Sequence, residues 1–432
     1  MARGPIGVDE GRYDNGMKVL VLGAGVIGVT SAWALAEAGH EVIVVERRGG
    51  PALETSFANG GQIAAAHAEP WARPSVLPKL ARWIGREDAP MLFRWRADPA
   101  QWRWAFNFLA ECLPARFERN VLRLAELARY SREQLVALRE RTGIEYDCLQ
   151  RGILHFCSDA REFTTLARQA EAMRRHGAER RVLSAAECVT LEPALGASGV
   201  PLAGGVYTPS DESGDAQRFT QALAALAAQR GVTFRYDAPV SGIELGGGRV
   251  RGVRLARGEV IEADATVVAL GSYSPRLLVP LGVRVAVFPL KGYSITLPLK
   301  GAAPEAPTVS LTDEAFKIVI SRLGSRLRAA GTAELAGYDL SINRVRCAAI
   351  VQRVQQLFPA LAVSGSVEYW AGLRPATPSN VPIVGRARYD NLFLNTGHGT
   401  LGWTLACGSA QALADLVSGR APAVPLADLP AA

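Results

Sequence analysis

Between Glu368 and Gly385 the chain reads EYWAGLRPATPSNVPIVG, and Arg374 is the one cation in it, with no acid within five residues. An arginine keeps its charge inside a protein, so one set among apolar and turn-forming neighbours needs an anion. That anion is either a carboxylate brought from elsewhere in the fold or the carboxylate of a bound molecule. The stretch alone leaves both open.

A second centre of chemistry lies near the N-terminus. Gly23-x-Gly25-x-x-Gly28 falls between the buried run KVLVLG (18–23) and the helical run VIGVTSAWALAEAG (26–39), and EVIVVE (41–46) follows. In such a unit the first glycine permits the tight turn, the second admits a pyrophosphate, and the third packs helix on strand. The helix N-terminus offers its free N–H groups to the phosphates. Glu46 ends the second strand, 18 residues after Gly28, and is placed to accept bonds from a ribose 2′-OH. An acid there disfavours a 2′-phosphate, which points to FAD or NAD rather than NADP. GGGRVRG (246–252) lacks the strand–helix context of a second nucleotide site. One FAD exchanging electrons with a quinone or with oxygen fits a single fingerprint better than a flavin–NAD pair.

Two more turns belong with these. Ser56-Phe-Ala-Asn59-Gly60-Gly61-Gln62 follows the second strand, at the sheet edge where ligands bind, and its paired glycines would let a flat ring approach the backbone. Thr396-Gly-His398-Gly399-Thr400-Leu401-Gly402-Trp403-Thr404 precedes the last helical run. Its N–H groups could stabilise negative charge on a reduced flavin. His398 by itself reads as structural.

The elements that must position these residues are legible in outline. The 432 residues are 49% hydrophobic and 21% charged, enough for a full core and about two domains. Six scattered cysteines and five dispersed histidines give neither a disulfide frame nor metal-ligand spacing, so no metal is expected. The longest uncharged apolar run, Val19–Ala36, has 18 residues and carries glycines at 23, 25 and 28; no membrane span is expected from it. Residues 1–16 mix acids with bases, unlike a signal peptide, and read as a flexible extension ahead of Met17.

The net charge of +7 has a local concentration. Segment 71–119 holds nine Lys/Arg against five Asp/Glu and five of the eight tryptophans. Interleaved Trp and Arg suit a membrane interface better than a nucleic-acid groove, although a helical subdomain with arginines reaching outward gives the same pattern. From 71 to 182 the pattern is otherwise helical. Extended runs at 287–299, 315–321 and 326–332 suggest an antiparallel sheet. The expected architecture is α/β, with a Rossmann-like FAD-binding domain (17–70, 183–283 and 371–432) interleaved with an antiparallel-sheet plus helical substrate domain (71–182 and 284–370).

The GxGxxG unit with Glu46, ETSFANGGQI, LKGYSIT, YWAGLRPATPSNVPIVG and NTGHGTLGWTLACG together resemble the D-amino-acid dehydrogenase small subunit, a branch of the D-amino-acid oxidase superfamily. The resemblance runs from Met17 to about Leu429. It implies non-covalent FAD, oxidative deamination of D-amino acids to 2-oxo acids and ammonia, and electrons passed to a quinone or other respiratory acceptor. Peripheral association with the cytoplasmic side of a bacterial inner membrane is also implied, with no nucleic-acid partner. Arg374 becomes the clamp for the substrate carboxylate, and the backbone carbonyl near Thr400 the acceptor of its amine.

Cofactor contacts are implied for Gly23, Gly25, Val26, Ile27, Gly28, Glu46 and Arg47. Ser56, Asn59, Gly60, Gly61, Gln62, Val240 and Gly271 continue the set. Gly399, Thr400, Leu401, Gly402 and Thr404 complete it. One departure stands out: relatives place a tyrosine beside the carboxylate where this chain has Phe316, and Tyr293 is the residue that could compensate. D-proline or hydroxyproline dehydrogenases and glycine or sarcosine oxidases would use the same residues, with pocket shape deciding among them.

Overall fold

The computed structural model describes residues 16–78, 86–87, 90–174 and 179–426. The extension expected over 1–16 lies outside the described residues except for Gly16, as do parts of the Trp/Arg segment, 79–85 and 88–89.

Strands Lys18–Leu22 and Glu41–Val45 pair in parallel, with the opening helix Val26–Glu37 between them. Around them a six-stranded sheet runs in the order Ile383–Arg386, Leu392–Thr396, Ala265–Val268, Lys18–Leu22, Glu41–Val45, Thr233–Arg235. Only its first pair is antiparallel. Alternation along the first strand explains why it is apolar from Val19 to Leu22. Val19 and Val21 face the opening helix, the helix Ala216–Gln229 and the last helix Gly402–Val417, while Leu20 and Leu22 face the hairpin strands Val240–Gly246 and Arg249–Leu255.

The second sheet has nine strands among the described residues. Its order is Glu368–Ala376, Phe288–Pro298, Arg326–Leu335, Ile318–Leu323, Ser310–Asp313, Ile153–Cys157, Gly204–Thr208, Arg181–Ser184, with Met91–Phe93 added beside Arg326–Leu335. Most pairs are antiparallel, but Ile153–Cys157 and Met91–Phe93 each join in parallel.

Strand pairing moves the expected domain limits. Segment 183–283, assigned to the nucleotide-binding domain, opens with strands Arg181–Ser184 and Gly204–Thr208, and both belong to the large sheet. The strand that carries Arg374 belongs to it too, so 371 cuts through an element. In the other direction, the 29-residue helix Pro114–Thr142, placed with the substrate domain, packs on the parallel-sheet side. Its Leu135 and Leu138 join the core beneath the opening helix, and Ser131 Oγ accepts from Gly408 N of the last helix at 3.0 Å. The mainly helical reading of 71–182 also misses strands Met91–Phe93 and Ile153–Cys157. Short strands whose partners lie far away in sequence leave little local trace.

Candidate active site

A cavity of about 1200 Å³ runs between the two sheets. At one end Gly23, at φ +101°, turns the chain out of the first strand, and a Cβ on Gly28 would sit 1.8 Å from the Gly23 carbonyl oxygen. Gly28 therefore lies behind the turn, letting helix meet strand, while Gly23, Gly25, Val26 and Ile27 line the cavity. The opening helix has no side-chain cap at Gly25 and no acid in its first turn. Of its first N–H groups, Val26 N is bonded to Ser56 Oγ at 3.0 Å, and the helix end keeps its positive field toward the cavity.

Glu46 lines the same end. Its two carboxylate oxygens accept from Ala24 N and Arg48 N at 2.8 Å each, and each oxygen can take a second donor. Burial raises its pKa against the lowering effect of those two N–H bonds. Arg47 is occupied differently from a ribose or phosphate ligand: it is paired with Glu54 at 2.5 Å, with its guanidinium 3.8 Å above the Tyr273 ring. Val240 and Gly271 complete this end.

Along the middle, Asn59 Oδ1 accepts from Gly61 N at 3.0 Å, and Gln62 Nε2 donates to Ser310 Oγ and Thr312 Oγ1 at 3.0 and 3.1 Å. The Asn59–Gln62 loop thus crosses from the parallel sheet to the large one. Ala64 N then donates to Thr404 Oγ1 at 3.1 Å, tying this segment to the last helix. That helix also starts without a side-chain cap, after the turn Gly399–Leu401, and Gly399, Thr400, Leu401, Gly402 and Thr404 all line the cavity.

Arg374 sits where the two sheets meet. A bridge between Ala376 and His398 joins its strand to the glycine-rich turn, which brings Arg374 and Thr400 into one chamber. Its guanidinium lies across Gly292 on the neighbouring strand, where a Cβ would be 2.2 Å from Cζ. Nη1 donates to the Thr332 carbonyl at 2.8 Å, and no carboxylate among the described residues pairs with it. Burial pushes its pKa down to about 10, and the Arg346 cation adds to the fall.

The receiving carbonyl is itself unusual. Thr332 has φ +57°, at a bulge where Lys291 pairs with Glu334 but Tyr293 with Gly331. A β-branched residue in that conformation costs roughly 1–3 kcal/mol. Such a residue reads in sequence as ordinary strand, so this part of the site gave no signal.

Tyr293, the one residue expected to offer a carboxylate-sharing hydroxyl in place of the tyrosine missing at Phe316, does not turn that hydroxyl toward Arg374. Tyr293 borders the cavity through its strand, but its side chain leaves the face opposite Gly292 and Arg374. Its ring packs with Ile295, Leu297 and the helix Arg344–Leu357, and its hydroxyl donates to Glu334 at 2.5 Å. Phe316 is 43% exposed under the Arg353 guanidinium, away from the cavity. His398 is buried with Nε2 3.1 Å from Ser409 Oγ, and burial lowers its pKa to about 3, so it stays neutral. Sequence reasoning also missed Trp370, Trp71, Met91 and Phe108, which wall the cavity.

The family model for FAD dependent oxidoreductases matches residues 18–416. The chain belongs to that family. It is 56% identical over 410 residues to a D-amino acid dehydrogenase of Dechloromonas aromatica, covering 94% of this chain and 98% of the relative. A D-amino acid dehydrogenase of Paramagnetospirillum magneticum is 56% identical over 409 residues, covering 94% and 96%. Among solved structures, glycine oxidase from Bacillus cereus superposes with a TM-score of 0.71 at 25% identity, over 93% of this chain and 95% of that one. Glycine oxidase from Geobacillus kaustophilus gives a TM-score of 0.75 at 23% identity, over 96% and 97%.

The protein is an FAD-dependent oxidoreductase, and the cavity fits its cofactor. Two uncapped helix N-termini face it, one beside the glycine turn and one beside Gly399–Gly402. The first suits a pyrophosphate and the second the electron-rich edge of a reduced flavin.

Proposed function

We propose that the chain oxidatively deaminates D-amino acids to 2-oxo acids and ammonia, with a quinone or other respiratory carrier as final acceptor. The observation that carries this reading is the guanidinium of Arg374, without a carboxylate partner among the described residues, in a chamber shared with the cofactor turns. The relatives named D-amino acid dehydrogenase support the same class of substrate. FAD, held without a covalent link, supplies a two-electron acceptor for the hydrogen on the substrate Cα.

Arg374 binds the substrate carboxylate through its two-donor fork, and its bond to Thr332 fixes the plane of that fork. The Thr400 carbonyl receives the amine, which enters neutral so that its lone pair can support the developing imine. With the carboxylate and amine both held, the Cα–H has one direction to point. Neutral His398 is tied to Ser409, so orientation rather than a side-chain base does the catalytic work. The imino acid is hydrolysed in water.

The same reading includes peripheral contact with a membrane. No helix among the described residues is long and apolar enough to span one. What supports contact is a surface cluster of Phe93, Trp95, Trp102 and Phe106, with successive ring centroids 4.9, 5.3 and 6.4 Å apart. Trp95 and Phe106 are 61% and 65% exposed. Aromatic rings set among arginines suit a lipid headgroup layer.

Arg374→Ala is the direct test of the clamp. Removing one side of a desolvated charge pair costs about 2–5 kcal/mol, which is roughly 30- to several-thousand-fold in kcat/KM. FAD content and melting temperature should change little, because no carboxylate among the described residues loses its partner with that charge. Arg374→Lys should recover only part of the activity. A well-folded, FAD-loaded Arg374→Ala protein within about threefold of wild-type kcat/KM would mean that the carboxylate is held elsewhere.

A further inference from the structure

We propose that Trp370 is the wall against which the substrate side chain packs, and that it selects D-amino acids with apolar side chains larger than methyl, aromatic ones foremost. The inference rests on the deamination reading above. Trp370, Gly372 and Arg374 leave one face of the strand Glu368–Ala376. Gly372 is the register partner of Gly292. The Arg374 guanidinium covers Gly292, and the tip of the Trp370 ring covers Gly372, with Cη2 1.9 Å from where a Cβ would stand. Residues paired across antiparallel strands lie about 4.5–5.5 Å apart, so the indole edge and the guanidinium are neighbours. The two glycines are what lets both side chains lie flat on the sheet.

Trp370 is half-buried and belongs to none of the apolar clusters among the described residues; what it faces is the cavity. A substrate whose carboxylate lies on Arg374 therefore has its Cα and side chain beside the indole. The helix Pro99–Glu111 and the segments around Trp71 and Met91 cover the same face of the sheet and bring Trp71, Met91 and Phe108 to the cavity. Arg73, which also lines it, already faces Glu69 at 3.9 Å. An apolar side chain gains contact with this wall, whereas an ionised one loses hydration against it.

The test compares kcat/KM for D-phenylalanine, D-leucine, D-alanine and D-glutamate in wild type, Trp370→Ala and Trp370→Phe. Wild type should favour D-phenylalanine and D-leucine over D-glutamate. The ratio of D-phenylalanine to D-alanine should fall at least about tenfold in Trp370→Ala and largely return in Trp370→Phe. Flavin absorbance titrated with benzoate and with acetate reads binding without turnover, and the preference for benzoate should vanish in Trp370→Ala. Unchanged ratios in folded, flavin-loaded Trp370→Ala would overturn the proposal. So would a uniform loss on every substrate in both variants, since that marks Trp370 as a support for the fold. Neither result touches the deamination reading, which is tested separately by whether D-amino acids, and not their L-forms, reduce the wild-type flavin.

Discussion

At the scale of single residues, the charged groups near the cavity divide into those the fold neutralises and those it leaves waiting. Lys291 has Asp339 at 2.9 Å and Glu334 at 3.6 Å, and Arg180 has Glu69 at 2.8 Å; Arg374 has a carbonyl. Asp211 is a third case. It is 1% exposed, and one oxygen accepts from Ala66 N at 3.0 Å while the other has no hydrogen-bond partner among the described residues. Burial pushes its pKa up from 3.8 to about 7, against the N–H bonds of Ala66 and Ala65 and the Arg180 and Arg132 cations. A raised acid favours the folded state at low pH, so this contribution is lost as pH rises from the unfolded value of 3.8 through about 7. Asp211→Asn keeps the bond to Ala66 and cannot ionise. Its gain in stability over wild type should be larger at pH 8 than at pH 5, by an amount bounded by about 3 kcal/mol, and is read as a larger rise in melting temperature at pH 8. Equal differences at the two pH values would show that the carboxyl titrates normally.

At the scale of elements, the opening strand–turn–helix–strand was readable because each piece is local: a buried run, glycines at fixed offsets, a helix of good formers, a terminal acid. The last helix and its glycine-rich turn were readable for the same reason. The large sheet was not, since Ile153–Cys157 and Gly204–Thr208 owe their place to partners more than a hundred or about fifty residues away. The direction of Tyr293 followed from sheet pleating once the register was known, and register is a tertiary fact. The Trp/Arg segment carried two readings in sequence, an interfacial surface and a helical subdomain with tryptophan in its core, and its aromatic residues divide between the interior and the surface. Trp104 packs inward on Phe108 and Phe288, whereas Trp95 and Trp102 join the exposed cluster. If that cluster meets lipid, the protein should float with vesicles containing anionic lipid at low salt and be released by high salt. Replacing Trp95 and Phe106 by serine should abolish flotation while leaving the FAD spectrum unchanged. Equal recovery with and without vesicles would remove the membrane reading.

At the scale of the whole molecule, the parallel sheet supplies two helix ends and an acid that suit a dinucleotide, and the large sheet supplies Arg374, with no carboxylate partner among the described residues, on a floor of two glycines. The Asn59–Gln62 loop and the Ala376–His398 bridge hold the halves in register, so that cofactor turns and clamp open on a single cavity. On the reading proposed above, the chamber fixes a carboxylate on one side and an amine on the other, and so presents the Cα hydrogen of only one enantiomer to the flavin. The decisive measurement is therefore anaerobic mixing of the purified, FAD-loaded protein with D- and L-forms of alanine and phenylalanine, following the visible absorption of the flavin. The account expects the D-forms to bleach it within the time of a turnover and the L-forms to leave it oxidised. Bleaching by the L-forms, or by neither, would contradict it.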